Sequence, residues 1–210
     1  IAKAVRYNTT KIFIMFMILA FVLSMFIDSI TVILFLAAIT ITQSKLLQFD
    51  PIPVIIAEIF CSNLGGSSTM CGDPPNIIIG TALHYTFTDF LTNTGVIAII
   101  CLVLMIFFFY MCFRIKLGKR NLSEEEIEKM PTPQSAITNK RAFIISTVIF
   151  LCAVILLVTH GQTGLTVSTI GIIAAAATCI TAGKKSKAIL RRVDYPTLVF
   201  FTGLFVVVGG

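Results

Sequence analysis

The chain has 210 residues, of which 57% are hydrophobic and 12% are charged, and its formal net charge is +6 at pH 7. Soluble domains carry about 25% charged residues, so this composition excludes an ordinary soluble domain and predicts an all-α polytopic protein in a lipid bilayer. The basic residues stand in short clusters beside apolar runs, as in cytoplasmic loops of membrane proteins, and no nucleic-acid partner is needed to explain them.

The first apolar stretch, residues 12–44, has a polar centre from Asp28 to Thr31. Each half has about 15 residues, and a helix of that length reaches about 22 Å, less than the hydrocarbon thickness of about 30 Å. Because Lys11 and Lys45 flank the two ends, both ends are expected to face the cytoplasm. We therefore predict a re-entrant helical hairpin with its tip at Asp28. One long tilted helix and two short spans are the alternatives.

The next segment, residues 53–88, is predicted to be a discontinuous transmembrane helix. Its first half is expected to end at Gly65 and its second half to begin at about Asn76, because glycine and proline interrupt helices. The crossing is expected to end near Asp89 on the outer face. Irregular backbone at membrane depth is tolerated only where it is buried in protein or lines a wet cavity. A broken helix of this kind predicts a binding site for a solute that crosses the membrane.

The remaining chain is predicted to consist of apolar helices and one polar loop. Residues 118–140 form the loop, which is expected to be cytoplasmic and to contain a short surface helix. The predicted membrane helices are residues 94–113, 142–158, 165–182 and 195–208. This division gives three parts, residues 1–117, 118–140 and 141–210, and we expect the chain to be a piece of a longer protein.

Three acidic residues within the apolar segments are candidates for ion or proton binding. A charged Asp28 at mid-bilayer would cost about 3 kcal/mol or more, so it is expected to face protein or water. It is interpreted as a cation or proton ligand, as the N-cap of the next half-helix, or as both. Asp73 is either an N-cap or a group for charge compensation and proton coupling. Glu58 is either a proton carrier or a packed, hydrogen-bonded acid.

The segment from Ser62 to Thr69 combines glycines with serine, threonine and asparagine. Glycine lets a ligand approach the backbone, and the polar groups freed at helix ends can bind a cation or an anion. Side-chain oxygens add neutral ligands suited to Na⁺ or an oxyanion. A phosphate-binding P-loop is excluded, because no lysine follows the glycines. Cys61 and Cys71 would matter for a soft metalloid, but packing as small hydrophobes is the expected role.

The sequence has no nucleophile–base arrangement and no cysteine or histidine spacing typical of a metal site. We therefore predict no enzyme activity, no catalytic residue and no structural metal.

Residues 62–80, Ser-Asn-Leu-Gly-Gly-Ser-Ser-Thr-Met-Cys-Gly-Asp-Pro-Pro-Asn-Ile-Ile-Ile-Gly, resemble the signature loop of the ion-transporter superfamily. The resemblance is to the arsenite permease and sodium/proton antiporter branch, which is P protein-like, with citrate-transporter-like domains more distant. The tip sequence resembles the Asp-Asn-x-Thr-Thr motif of that branch, with Ser29 and Val32 as departures that weaken two ligands. Residues 193–205 resemble the segment that opens the second repeat of the family.

The resemblance implies a transporter of two inverted repeats, each with a re-entrant hairpin and a discontinuous helix. This chain would hold one such pair and the start of the second repeat. Nine residues are implied to form the ion and substrate site: Asp28, Ser29, Thr31, Asn63, Gly65, Gly66, Thr69, Asp73 and Asn76. The candidates for proton coupling are Asp28, Glu58 and Asp73.

Together these observations predict a secondary active transporter that moves an inorganic ion, coupled to Na⁺ or H⁺, by cation/proton antiport or arsenite efflux. A citrate- or dicarboxylate-type anion symporter is one alternative, disfavoured because an acid at the tip repels a dicarboxylate. A channel-like or structural membrane module is the other.

Apart from the coupling ion no cofactor is expected. The expected partners are the lipid bilayer and a small inorganic ion or small anion, and a homodimer is left open. The expected location is a bacterial or archaeal plasma membrane, with multiple crossings.

Overall fold

The computed structural model describes residues 9–115, 139–183, 186–191, 193 and 195–209. Within these ranges all regular structure is helical, which confirms the predicted all-α class. The chain divides into two compact units between Met130 and Pro131. The predicted surface helix within residues 118–140 lies outside the described residues.

The described part of the first unit contains five helices: α1 (Thr9–Ser24), α2 (Ser29–Leu47), α3 (Pro51–Ser67), α4 (Pro74–Leu83) and α5 (Phe87–Phe113). By length and composition, α2 and α5 can each cross a membrane, whereas α1 and α3 are shorter apolar helices. One turn of α5, Leu91–Gly95, is π-helical.

The described part of the second unit contains four helices: α6 (Lys140–Thr163), α7 (Val167–Ala182), α8 (Ser186–Leu190) and α9 (Tyr195–Gly209). The 24-residue α6 is also long and apolar enough to cross a membrane. It continues beyond residue 158, where the sequence predicts its end, to Thr163, and the C-cap Gly164, with a left-handed φ of 68°, donates its N–H to the His160 carbonyl. The turn to α7 is therefore only three residues long, 164–166.

The break between α1 and α2 lies at residues 25–28, where the sequence predicts the hairpin tip. The two helices have 16 and 19 residues, more than the 15 assumed for each half. Because α2 alone is about 28 Å long, two short spans fit the helix lengths as well as a hairpin does. The re-entrant hairpin stays a prediction.

The prediction that α3 stops at Gly65 and Gly66 is wrong. The helix passes through both glycines to Ser67, and neither glycine has a positive φ. A Cβ atom on Gly65 would overlap the backbone of Phe21 in α1. The glycine is therefore explained by the close approach of two helices, which only a residue without a side chain permits.

The second half of the broken helix also differs from the prediction. It begins at Pro74, two residues before Asn76, because proline fits the first turn of a helix. It ends at Leu83 rather than near residue 88, followed by His84 in a left-handed conformation with φ 57°. The long helix α5 then begins at Phe87, seven residues earlier than predicted.

The early start of α5 has a local cause. Thr86 and Asp89 form a reciprocal capping box, in which the Thr86 N–H donates to Asp89 Oδ2 at 2.8 Å and the Asp89 N–H donates to Thr86 Oγ1 at 3.3 Å. Two orphan N–H groups at the start of the helix are thereby satisfied.

Helix α3 lies at the centre of the first unit, in contact with α1, α2 and α5. The core is apolar, and its fully buried side chains include Ile12, Phe13, Phe16, Met17, Leu36, Val54, Ala57 and Cys61. The outward side chains of α2 and α5 are also apolar but exposed, as with Leu34 at 70% and Phe107 at 65%. A helix that is apolar on every side is typical of a membrane span.

Candidate ion-binding site

Two interruptions of helical structure meet in the first unit: residues 25–28 between α1 and α2, and residues 68–73 between α3 and α4. We call this region the break site. The Ser29 hydroxyl donates to Asp73 Oδ1 at 2.6 Å, and the Thr69 hydroxyl donates to the Met25 carbonyl. Each bond joins residues 44 positions apart. The two breaks therefore hold each other in place, and four helix ends converge.

Asp73 occupies the N-cap position of α4 but makes no side-chain capping bond. Its carboxylate turns instead toward Ser29 and lies against Gly66, where an added Cβ would be 2.5 Å from Asp73 Oδ2. Gly66 therefore makes room for a carboxylate. Of the two interpretations of Asp73, the capping one does not describe its side chain.

Asp28 does act as a helix cap. One of its carboxylate oxygens accepts the Thr31 N–H at 3.1 Å and the Thr31 hydroxyl at 3.4 Å. Ser29 follows Asp28 directly and bonds Asp73, so the break site contains two half-buried carboxylates joined through one serine. No Lys or Arg occurs within residues 12–44 or 46–113, so none of these segments brings such a positive charge to the acids.

Asn76 closes the break between α3 and α4. Its side-chain amide donates to the Gly66 carbonyl at 3.1 Å and to the Thr69 carbonyl at 2.8 Å. The Thr69 hydroxyl in turn accepts the Gly72 N–H at 3.2 Å. A side chain on Gly72 would overlap the carbonyls of Gly66 and Ser24. These contacts tie the last turn of α3 to the first turn of α4.

Two serines outside the nine predicted site residues also belong to this region: Ser24, and Ser68 of the Ser62–Thr69 segment. The side chain of Ser24 is completely buried, and its hydroxyl oxygen has no hydrogen-bond partner among the described residues. A buried hydroxyl without a partner is costly, which is consistent with a ligand group. The signal in the sequence is a single serine in an apolar run, four positions before Asp28.

The second of these residues, Ser68, links the site to α5. The Thr94 hydroxyl in the π-helical turn lies 3.4 Å from the Ser68 carbonyl. Single π-helical turns frequently occur at functional sites. The sequence signal for this contact is Thr94, a threonine at the start of the predicted membrane helix 94–113.

Three of the nine predicted site residues do not enter the break site. Asn63 is exposed and its side chain bonds the Ile59 carbonyl of its own helix. Thr31 is exposed and contributes through its bonds to Asp28, and Gly65 packs against Phe21. The other six come together: Asp28, Ser29, Gly66, Thr69, Asp73 and Asn76. The structure places these six residues close together, and their roles as ligands stay predictions.

Glu58 lies apart from the break site, in the interface between α2 and α3. It is completely buried, and the Thr40 hydroxyl donates to its Oε1 at 2.6 Å. Glu58 is thus a packed acid with one hydrogen bond, and its role as a proton carrier stays a prediction. Among the described residues no group of three or more His, Cys, Asp or Glu side chains is arranged to hold a metal ion.

Apolar helices long enough to cross a membrane, together with two meeting helix breaks that carry carboxylates, define a multi-pass integral membrane protein built like a transporter. The family model described as citrate transporter, CitMHS, matches residues 1–210. The chain belongs to the citrate transporter family. This confirms the resemblance to an ion-transporter superfamily permease that the sequence predicts.

Two of the relatives are named as a membrane protein and as a transporter. The chain is 28% identical over 210 residues to the 46 kDa membrane protein of Mycobacterium leprae, covering 99% of this chain and 48% of the relative. It is 27% identical over 215 residues to the uncharacterized transporter Rv2684 of Mycobacterium tuberculosis, covering 99% and 48%. The human P protein is 39% identical over 112 residues, 50% of this chain and 13% of the relative.

The chain spans about half the length of the mycobacterial relatives. The family and the Mycobacterium tuberculosis relative Rv2684 are named for transport and not for catalysis, in agreement with the prediction that the chain is not an enzyme. No solved structure matches.

Proposed function

We propose that the whole protein is a secondary active transporter and that the break site binds the transported or coupled ion. The observation that carries this proposal is the bond between Ser29 and Asp73, which brings together two helix interruptions from distant parts of the chain. Broken helices that meet at a polar site supply backbone dipoles and side-chain ligands to a solute, while the continuous helices around them seal the path.

The charge of the site favours a cation. Asp28 and Asp73 are two carboxylates, and the adjacent hydroxyl and carbonyl groups are the oxygen ligands that Na⁺ uses. We therefore propose exchange of an inorganic cation for protons, or arsenite efflux, coupled to Na⁺ or H⁺. The location we propose is the plasma membrane of a bacterial or archaeal cell.

A citrate- or dicarboxylate-type symporter is the second candidate, and the family match favours it. An anion of that kind would meet two like charges at the break site. It would therefore need a cation such as Na⁺ bound at the same time, and uptake of citrate would depend on that cation.

The test is transport by the full-length protein in proteoliposomes, with Na⁺, Li⁺, arsenite and citrate offered separately under a pH gradient. Exchange of Na⁺ or Li⁺ for protons supports the first candidate, and Na⁺-dependent citrate uptake supports the second. Conduction that only follows the electrochemical gradient of the solute, with no accumulation against it, would contradict both and would favour a channel.

A further inference from the structure

The α2–α3 interface holds a second polar group that the break site does not use. Glu58 and Thr40 are both 0% exposed, and the Thr40 hydroxyl donates to Glu58 Oε1 at 2.6 Å. The other carboxyl oxygen, Oε2, is buried and has no hydrogen-bond partner in the part of the chain that the structure describes. A carboxyl group with one of its two oxygens unpaired in a buried interface is not explained by packing.

The surroundings disfavour a charged Glu58. Its buried neighbours along α3 are the apolar Val54, Ala57 and Cys61 and one serine, Ser62, whose hydroxyl donates to the Ile59 carbonyl of its own helix. An ionised carboxylate with a single hydrogen bond in such a place is costly, so the neutral acid is the stable form. A neutral acid carries a proton that it can give up when its surroundings become wet.

The helices packed against α3 carry few charges that could compensate for Glu58. Their charged residues are Lys11 on α1, Lys45 on α2 and Asp89 on α5, and all three are exposed. Cys61 is the nearest titratable group on α3 itself, one turn further on. Exposed lysines keep their charge in water, so they do not substitute for a buried partner.

A second unpaired oxygen lies on α2, on the helix face that carries Thr40. Gln43 is three residues after Thr40, one turn along the helix, and its buried Oε1 atom has no hydrogen-bond partner among the residues described. The interface therefore contains a titratable carboxyl, a hydroxyl donor and an unpaired amide oxygen. These groups suit the binding of a proton, which needs one acceptor and no coordination shell.

This interface is separate from the break site but directly connected to it. Helix α2 begins at Ser29 and α3 ends at Ser67, so Thr40 and Glu58 lie about 15 Å along their helices from the breaks. Any movement of the breaks on ion binding shifts the same two helices whose contact encloses Glu58.

We propose that Glu58 is a proton-binding site distinct from the break site, and that it carries protons during coupled transport. The proton enters from water on one side of the membrane, binds Glu58 Oε2, and leaves to the other side after the α2–α3 contact has opened. Thr40 acts as a positioning residue. The proposal rests on the proposed transport function and deepens it.

The first test measures proton flux with a pH-sensitive dye trapped inside proteoliposomes of the full-length protein, driven by a gradient of Na⁺, Li⁺, arsenite or citrate. Glu58→Gln keeps the size of the side chain and a hydrogen bond to Thr40 but cannot titrate, so we expect at least a tenfold loss of proton flux. Glu58→Asp keeps a carboxyl group and is expected to retain part of the flux. A purely structural role predicts the opposite order, and that result would overturn the proposal.

The second test does not depend on transport. Infrared spectroscopy of the purified full-length protein is expected to show the C=O band of a buried protonated carboxyl that disappears at high pH. The band should be missing in Glu58→Gln and retained in Asp28→Asn. If wild-type protein transports none of the four solutes, the proposed function fails, whereas the absence of this band from the wild-type spectrum would overturn the Glu58 proposal alone.

Discussion

The two units differ in whether hydroxyls in their apolar helices bond other elements, although some hydroxyls of the first unit, such as that of Thr42, also bond their own helix. In the first unit the hydroxyls of Ser29, Thr40 and Thr69 bond groups on other elements. In the described part of the second unit, Thr147 and Thr178 bond the carbonyl four residues earlier in their own helices. Burial differs too, since α6 has no buried residue. A threonine that bonds within its own helix does not tie that helix to another, whereas a hydroxyl that bonds a different element does.

The largest expected difference between the two units is the effect on stability of replacing a glycine. Gly65→Ala places a Cβ onto the backbone of Phe21, and we expect it to lower the free energy of unfolding by about 3 kcal/mol. The matched control is Gly171→Ala in α7, where an added Cβ meets nothing within 4 Å. That variant should be neutral or more stable by up to about 1 kcal/mol, because alanine favours helix.

Thermal and denaturant unfolding of the full-length protein in detergent compares the two glycine variants. Equal stabilities of Gly65→Ala and wild type would show that α1 and α3 are not in close contact.

The next largest effect is expected for the acids of the break site. Asp73→Asn removes the charge that Ser29 bonds, and we expect coupled flux to fall roughly 10–100-fold with little loss of stability. Asp28→Asn should lower flux similarly, because it also removes a carboxylate from the break site. It should cost little stability, because asparagine still caps α2. Proteoliposome flux and thermal unfolding are measured side by side.

Asn63→Ala is the control for the acid variants. The side chain is exposed and bonds its own helix, so flux should stay at the wild-type level. Wild-type flux in both Asp73→Asn and Asp28→Asn would refute the assignment of the ion site.

A smaller effect is expected for the hydroxyl that joins the two breaks. Thr69→Val leaves the Gly72 N–H without its acceptor and removes the donor to Met25, and should cost about 1–2 kcal/mol of stability. Thr178→Val in the second unit should change stability by less than about 0.5 kcal/mol, because its only described bond is within α7. Similar losses of stability in Thr69→Val and Thr178→Val would show that hydroxyls contribute equally to stability in the two units.

The smallest effect is expected for Cys61, a buried free thiol between the core and the α2–α3 interface. Cys61→Ser should leave cation exchange intact, since serine fills nearly the same space and can bond a carbonyl of its own helix. Parallel assays of Na⁺ exchange and arsenite efflux check this. Loss of arsenite efflux alone would show that the thiol binds the metalloid.

Local sequence signals located the two breaks and misplaced their edges. The polar tip at Asp28 and the proline pair at Pro74 both mark real helix ends, because capping and proline geometry act within a few residues. The end of α3 was wrongly predicted at Gly65, because a glycine looks the same in the sequence whether it ends a helix or lets two helices touch. Asn63 misled for a related reason: it belongs to the resembling loop, yet α3 stays helical there and turns it outward.

The amino-acid sequence by itself determined the membrane class, the helical fold and the identity of the acids, because hydropathy and helix capping depend only on nearby residues. The partners of those acids were decided by the tertiary structure alone. Ser29 meets Asp73 and Thr40 meets Glu58 across helices whose register is set by packing, with glycine at the closest approach. Such register depends on how whole side-chain surfaces fit together, and no local pattern encodes it.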